Sequence, residues 1–365
     1  MKKIKISSKV KDFEVQTVDD FKFVDELSKI ENSVVIVGEK VFELYKNKIF
    51  KKFSKDKLII LPLEEKNKTL DTVVGIYAKL LEKTAKKNLT LITFGGGVNQ
   101  DVVGFVASTL YRGVGWIHVP TTLLSMADSS VGLKTSLNLN KYKNVIGTFY
   151  PPEKVIINSD FLNTLPKLNY FSGLGEIIKL YLTRKEALKK LNDTITQINS
   201  FKKSKDRKFI DKVILKSLQI KLDYMKGDEF DRGRRNLLNY GHELGHALEP
   251  ASSYSIPHGI AVLIGIMFAN IVSYKRKMLD KKTMEEINQK LILPNIPFDV
   301  IKLKKSYFQK EIILKNMRKD KKVIDEGLVL VLPQKDLSLI KVNNLTIDEY
   351  YKSLIDLIKL LPQIK

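Results

Sequence analysis

The sequence has 365 residues, 44% of them hydrophobic, and a formal net charge of +22. That length suits two domains, each with its own core, and the lack of Cys excludes disulfides, thiolate metal ligands and cysteine nucleophiles. The lysines are spread along the chain among Glu and Asp, with no zinc finger, basic zipper or aromatic-basic RNA motif; they read as a solvated surface compatible with a phosphorylated or carboxylated small molecule, and no nucleic-acid partner is expected.

Residues 1–30 alternate apolar and polar side chains, as in an edge hairpin. Val34 to Val37 reads as a buried strand, followed by a helix from about Val41 and a second strand at Leu58 to Leu61. Leu70 to Lys86 has helical periodicity. Leu89 to Phe94 is a strand running into Gly95-Gly96-Gly97, and a helix is expected from Asp101 to about Leu110. Strands at Trp116 to Val119 and Lys154 to Ile157 complete an α/β domain with a largely parallel sheet over residues 1–158. Residues 159–365 read as mainly α-helical, with helices over 171–182, 184–198, 207–227, 234–248, 258–275, 283–291, 308–317 and 347–359 and a small hairpin at Lys322 to Leu332. The apolar run Ile260 to Val272 is short for a membrane span and predicts a core helix; no secretory signal is read at the N-terminus, and a cytoplasmic protein without a membrane partner is expected.

The chemistry-bearing residues fall on both sides of the expected boundary, which makes the cleft between the domains the expected site. Glycines after an apolar strand let backbone N–H groups approach a phosphate. Asp101 opens the expected next helix, where it can fix the turn or accept from a ribose. Glu39, just past the strand that ends at Gly38, stands where a carboxylate binds an adenosine ribose and favours NAD over NADP. The spelling is not the usual GxGxxG, and a purely structural turn is the alternative.

Three of the four histidines are His242, His246 and His258. His242 and His246, four apart, share a helix face. Glu176 on an earlier helical segment would complete a His2Glu metal site with two of them. His242-Glu243-Leu244-Gly245-His246 also spells the zinc-protease pattern, but a third histidine six residues beyond His246 is absent, since that position is Ser252.

The spellings GGGVNQDVVGF, YRG, PTTLLSMADSSVGLKT, KNVIGTFYPP, TLP, GEIIK, LLNYGHELGHALE and PHG occur in order between about residues 34 and 332. Together they resemble the 3-dehydroquinate synthase family of sugar phosphate cyclases. The resemblance implies a dinucleotide-binding α/β domain followed by a mainly helical metal- and substrate-binding domain. It implies NAD as cofactor and zinc on Glu176, His242 and His258, with cobalt able to take the same geometry, while His246 faces the substrate. Gly95, Gly96, Gly97, Asp101, Thr121 and Thr122 match the nucleotide turn and its neighbours. Glu65 and Lys66 resemble an acidic-basic pair near the nicotinamide, and Glu39 takes a place usually held by Asp. Asp128, Lys134, Asn144, Lys179, Lys221, Arg235 and Asn239 match substrate residues, and Lys134 and Asn144 also count toward the cofactor. Arg112 resembles a residue reaching the phosphate of a neighbouring subunit, which implies a homodimer, and Lys321 is the favoured lysine of the turn at 320–322.

The implied reaction converts 3-deoxy-D-arabino-heptulosonate 7-phosphate to 3-dehydroquinate and phosphate in the shikimate pathway of aromatic amino acid biosynthesis. The alternative is a related cyclase acting on sedoheptulose 7-phosphate, in polysaccharide or secondary metabolism. Three departures from the family pattern bear on that choice. Leu133 stands for the second Gly of Ser-Val-Gly-Gly-Lys-Thr, Ile260 for the Glu of His-Gly-Glu, and Asn99-Gln100 for a commoner Ile-Gly pair.

Overall fold

A computed structural model describes residues 2–83, 88–140, 142–320 and 327–362. The chain divides into two compact units, Met1–Leu165 and Pro166–Lys365.

The first unit is built on a seven-stranded sheet. β1 (Lys3–Ile6) and β2 (Phe13–Thr17) form the antiparallel N-terminal hairpin. They are followed by α1 (Phe23–Ser28), β3 (Ser33–Gly38), α2 (Glu39–Tyr45), β4 (Leu58–Leu61), α3 (Leu70–Glu82), β5 (Thr90–Gly95) and α4 (Gly97–Thr109). Next come β6 (Gly115–Pro120), α5 (Leu123–Ala127), the antiparallel pair β7 (Lys134–Leu139) and β8 (Tyr142–Phe149), and β9 (Lys154–Ile157). The sheet order is β1-β2-β9-β6-β5-β3-β4, and every pairing except β1 with β2 is parallel. β3 is buried along its whole length, as strands of a covered parallel sheet are.

One face of the sheet is closed by α3 and α4. α3 turns Val73, Ile76 and Leu80 inward at helical spacing, against Ile36, Leu91, Val102, Val106 and Trp116. Each such buried side chain contributes about 1.5–3 kcal/mol. The Trp116 indole N–H is satisfied by the Pro151 carbonyl at 3.0 Å, as a buried donor requires.

Two local expectations for this unit are corrected. α4 begins at Gly97, one turn before Asp101, because Gly96 takes the N-cap position and the polar pair Asn99-Gln100 is satisfied within the structure. The β7–β8 hairpin was not foreseen from the sequence: β8 exposes both apolar and polar side chains and lacks a clean alternation.

The second unit is mainly helical. It contains α6 (Lys167–Thr183), α7 (Leu191–Lys203), α8 (Arg207–Met225), α9 (His242–Ala251), α10 (His258–Lys275), α11 (Lys281–Glu285), α12 (Lys310–Asp320) and α13 (Ile347–Leu360), with β10 (Leu328–Pro333) and β11 (Leu339–Leu345) as an antiparallel pair. α10 is the centre. It is apolar on all sides, and 83% of it is buried against neighbours that include α6, α9, α13 and β10, which makes it the expected core helix rather than an amphipathic one.

Three boundaries in this unit differ from expectation. The helix read at 184–198 lies at α7, because Glu186 adopts φ 55° and residues before Leu191 turn. The helix read at 234–248 is a 3-10 turn over Arg234–Asn239 and then α9, broken by Gly241 at φ 82°. The hairpin lies later than expected: β10 and β11 are joined across a turn at 334–338, and the beginning of the expected range falls outside the described residues.

Candidate active site

Two groups of polar side chains stand out, one in each unit. In the second unit, Gly175 of α6 and Gly259 of α10 lie where the two backbones touch. A Cβ on Gly259 would stand 2.7 Å from the Ser172 carbonyl carbon, and one on Gly175 would stand 2.7 Å from the Gly259 carbonyl carbon. The flanking residues Glu176 and His258 are thereby brought together. Gly241, whose positive φ suits glycine, turns the chain into α9 and sets His242 at its first position.

Glu176 Oε1 lies 3.4 Å from His258 Nε2 and 3.8 Å from His242 Nε2. Its other oxygen is 2.5 Å from Lys179 Nζ, one helical turn on. The Glu176 side chain is 1% exposed, and neither oxygen makes a well-aligned hydrogen bond among the described residues. Burial opposes ionisation of Glu176, but the Lys179 charge and then the two histidines hold its carboxyl well below the usual carboxylate range. Burial, followed by the Lys179 charge, pushes the His242 ring below its ordinary value. For His258 burial acts in the same direction but is outweighed by the Glu176 and Glu249 carboxylates on either side of the ring, which raise it to about 10.

A buried carboxylate and two imidazoles converging on one point fit a divalent cation of the zinc type. The desolvation cost of that buried carboxylate calls for positive charge beyond the Lys179 ammonium and the histidine rings beside it. His246 joins the group: donor nitrogens of His242, His246 and His258 lie within 4.8 Å of one another. The three histidines therefore form a second conceivable donor set. The set with Glu176 is favoured because its carboxylate is the group that burial leaves in need of a cation.

In the same unit, Lys221 and Arg235 are buried. The Arg235 backbone N–H donates to Asp228 at 2.8 Å, and its guanidinium donates to the Glu229 carbonyl. Asn239 ends the 3-10 turn, half-buried. Lys321 lies outside the described residues.

In the first unit the parallel strands end in register: Gly38 opposite Leu61, and Gly95 opposite Pro120. Glu39, Gly96, Gly97, Thr121 and Thr122 therefore leave the sheet along one edge, the edge where open parallel sheets take ligands. Thr121 N–H donates to Gly95 O at 2.9 Å. A Cβ on Gly96 would meet Thr122 Cγ2 at 2.8 Å, whereas Gly97 faces open space at the first turn of α4. Free N–H groups at the start of a 13-residue helix, with room beside them, fit a dinucleotide phosphate. Glu39 is exposed on the same edge.

Asp101 sits deeper than expected, inside α4. Burial pushes its carboxyl above the ordinary value, partly offset by Lys68, whose Nζ is 2.5 Å away. The same ammonium donates to Asn144 Oδ1 at 2.5 Å, and Ser136 Oγ donates there too. Glu65 accepts from Asn138 Nδ2 at 2.9 Å. Lys66 is not brought into this network: its side chain is 77% exposed beside Glu64. Lys68, 6% exposed, is the buried lysine of that segment. The resemblance pointed to Lys66 and not to Lys68; the 3-10 turn at Glu65–Asn67 leaves Lys66 exposed and Lys68 buried.

Asp128 ends α5, partly buried, while Lys134 is exposed at the start of β7. Arg112 is exposed in a turn at φ 68°. Leu133, where a glycine was the expected spelling, adopts φ 63° and is buried, which explains why glycine suits that position.

Family models described as 3-dehydroquinate synthase N-terminal and 3-dehydroquinate synthase C-terminal match residues 58–172 and 173–323. A 3-dehydroquinate synthase of Dehalococcoides mccartyi is 37% identical over 306 residues, covering 82% of each chain. One from Vesicomyosocius okutanii is 41% identical over 278 residues, covering 75% of each. Among solved structures, 2-epi-5-epi-valiolone synthase from Streptomyces hygroscopicus, with NAD+ and Zn2+ bound, superposes with a TM-score of 0.81 at 21% identity, covering 97% of this chain and 99% of that one. A 2-deoxy-scyllo-inosose synthase complexed with carbaglucose-6-phosphate, NAD+ and Co2+ gives 0.76 at 20% identity over the full length of both chains. At that identity the structural likeness speaks to the fold.

Proposed function

The chain belongs to the 3-dehydroquinate synthase family, and we propose that it converts 3-deoxy-D-arabino-heptulosonate 7-phosphate to 3-dehydroquinate and phosphate. The observation that carries this reading is the buried Glu176 carboxylate facing His242 and His258 in a chain with such relatives. When bound, NAD supplies reversible oxidation of a substrate hydroxyl, and a divalent cation (zinc, or cobalt in the same geometry) held by Glu176, His242 and His258 supplies Lewis acidity.

The protein's own residues orient and neutralise. Arg235 suits the substrate carboxylate, as a planar guanidinium fork. Lys134, Lys179, Lys221 and Asn239 supply charge and hydrogen bonds for the phosphate and ring hydroxyls, and Lys321 is assigned to the same substrate. His246, beside the metal donors but outside the favoured set, faces the substrate and positions the phosphate that leaves. Asp128 orients a neighbouring polar group. Glu39, the Gly95–Gly97 turn, Thr121, Thr122, Glu65 and the Lys68-linked pair of Asp101 and Asn144 position NAD. Lys66 has no role in this reading.

We further propose a cytoplasmic homodimer in which Arg112 serves the phosphate of the neighbouring subunit; its exposure in a fixed turn supports this. The test supplies protein, NAD and zinc with either 3-deoxy-D-arabino-heptulosonate 7-phosphate or sedoheptulose 7-phosphate and measures phosphate and carbocycle together. Turnover of the acid alone is expected. Turnover of the heptulose alone overturns the substrate assignment while keeping the cyclase chemistry.

A further inference from the structure

α9 places three polar side chains on one face, His242, His246 and Glu249, at positions i, i+4 and i+7. The third has so far been given no role. Its side chain is 15% exposed, and Oε2 lies 3.2 Å from His258 Nδ1. The other nitrogen of that ring, Nε2, is 3.4 Å from Glu176 Oε1. The His258 imidazole is thus strung between two carboxylates, one on each side.

The end of α9 holds Glu249 firmly. Its carbonyl accepts from the Tyr254 N–H at 2.7 Å and from Ser252 Oγ at 2.9 Å. Ile260, two residues after His258, is fully buried in the core of α10 and offers no carboxylate to the ring. A neutral imidazole carries one N–H, and the partner of that N–H decides which nitrogen keeps a lone pair.

We propose that Glu249 is a positioning residue: it accepts the Nδ1–H of His258, fixing the ring plane and the tautomer in which Nε2 is the metal donor. The inference rests on the metal site proposed above. A carboxylate behind a metal-bound histidine typically changes metal affinity by about 10–100-fold.

The test uses the full chain and Co2+ as probe, with Glu249→Ala and Glu249→Gln. Affinity is read by competition with a chromophoric chelator, ligand geometry by the visible Co2+ spectrum, and the metal-free fold by melting in EDTA. Glu249→Ala is expected to bind Co2+ about 10–100-fold more weakly with a changed spectrum. Glu249→Gln, which keeps a neutral acceptor, is expected to lose at least about threefold, with a metal-free melt like the parent's. A merely structural role would lower the metal-free melt and leave affinity unchanged; affinities within about threefold of the parent in the folded variants overturn the proposal. Should Glu249→Ala not fold, Glu249→Gln decides alone, a loss of less than about threefold overturning the proposal. A parent that binds no Co2+ removes the metal site itself, and with it this inference, whatever the turnover assays give.

Discussion

Replacing Gly259 by Ala tests whether the touching of α6 and α10 sets the metal site. The added methyl would stand 2.7 Å from the Ser172 carbonyl carbon and 3.2 Å from its Cα, and closer still to the oxygen. Ordinary contact begins near 3.4 Å, so the two backbones must part by on the order of 1 Å, since rigid backbone cannot rotate aside. Overpacking of this kind costs about 1–3 kcal/mol, and backbone on both sides of the contact puts Gly259 at the upper end. For a unit of this size that is a fall in melting temperature of about 6–12 °C. His258 precedes the substituted residue, and Glu176 follows Gly175 on the facing helix. A shift of about 1 Å far exceeds the roughly 0.2 Å tolerance of a metal–ligand distance, and zinc affinity should fall by at least about a hundredfold. The assay is a pair of melts, with chelator and with zinc, beside an equilibrium zinc competition. A Gly259→Ala protein that melts within about 2 °C of the parent and binds zinc within about threefold would refute the reasoning.

Four further outcomes are expected. Gly75→Ala, on the exposed face of α3 with nothing within 4 Å of its new methyl, should stabilise by about 0.5–1 kcal/mol in urea unfolding. Glu349 accepts from Arg276 Nε and Nη2, both at 2.8 Å, and caps α13; the Arg276 hydrogen bond, outweighing burial, holds its carboxyl at about 2. The folded value is depressed, so this stability is present above about pH 4.5 and is lost as pH falls toward 2; discounted for solvent exposure it amounts to about 1–1.5 kcal/mol, and Glu349→Gln should flatten that part of the acid-unfolding curve. His118, held at about 3 by burial alone, stays neutral in the fold while the unfolded chain takes up a proton below about pH 6.5. Stability should therefore fall by roughly 1.4 kcal/mol per pH unit from there toward pH 3, a slope that His118→Gln should remove when urea midpoints at pH 7.5 and pH 5 are compared. Lys68→Met strips the buried cation from Asp101 and Asn144 and should cost about 3–5 kcal/mol in urea unfolding.

The fold was most legible where one physical signal dominated. The apolar runs of β3 and β5 ending at Gly38 and Gly95 announced parallel strands with their functional turns on one edge, and the apolar length of α10 announced a core helix. Legibility failed where tertiary partners override local character. Asn99 and Gln100 looked like loop residues, yet Asn99 Nδ2 donates to Phe94 O and Gln100 Nε2 to Ser129 O, which lets α4 start early. β8 carries no periodic apolar pattern, so the β7–β8 pairing had no spelling to announce it. In the site, spacing put His242 and His246 on one face, and only the family resemblance chose among the possible metal sets. That Lys68 and not Lys66 is buried follows from a short 3-10 turn that no periodicity encodes. The role given to Glu249 needed the end of α9 and the start of α10 in space, since a carboxylate nine residues from its histidine has no local signature.

The sheet of the first unit is completed late. β2 pairs in parallel with β9, Glu14 opposite Lys154 and Thr17 opposite Ile157, so its partner is about 140 residues away along the chain. At ribosomal rates of about 5–20 residues per second, the nascent β1–β2 hairpin waits about 7–30 s with one strand's hydrogen-bonding groups unclaimed. An open strand edge is a hazard to any neighbouring nascent chain. Here the waiting edge belongs to β2, which carries the charge of Glu14, a charge of the kind that keeps an unpaired edge from recruiting the wrong strand. Slowing translation between residues 17 and 154 should lower the yield of soluble protein more than slowing it after residue 165.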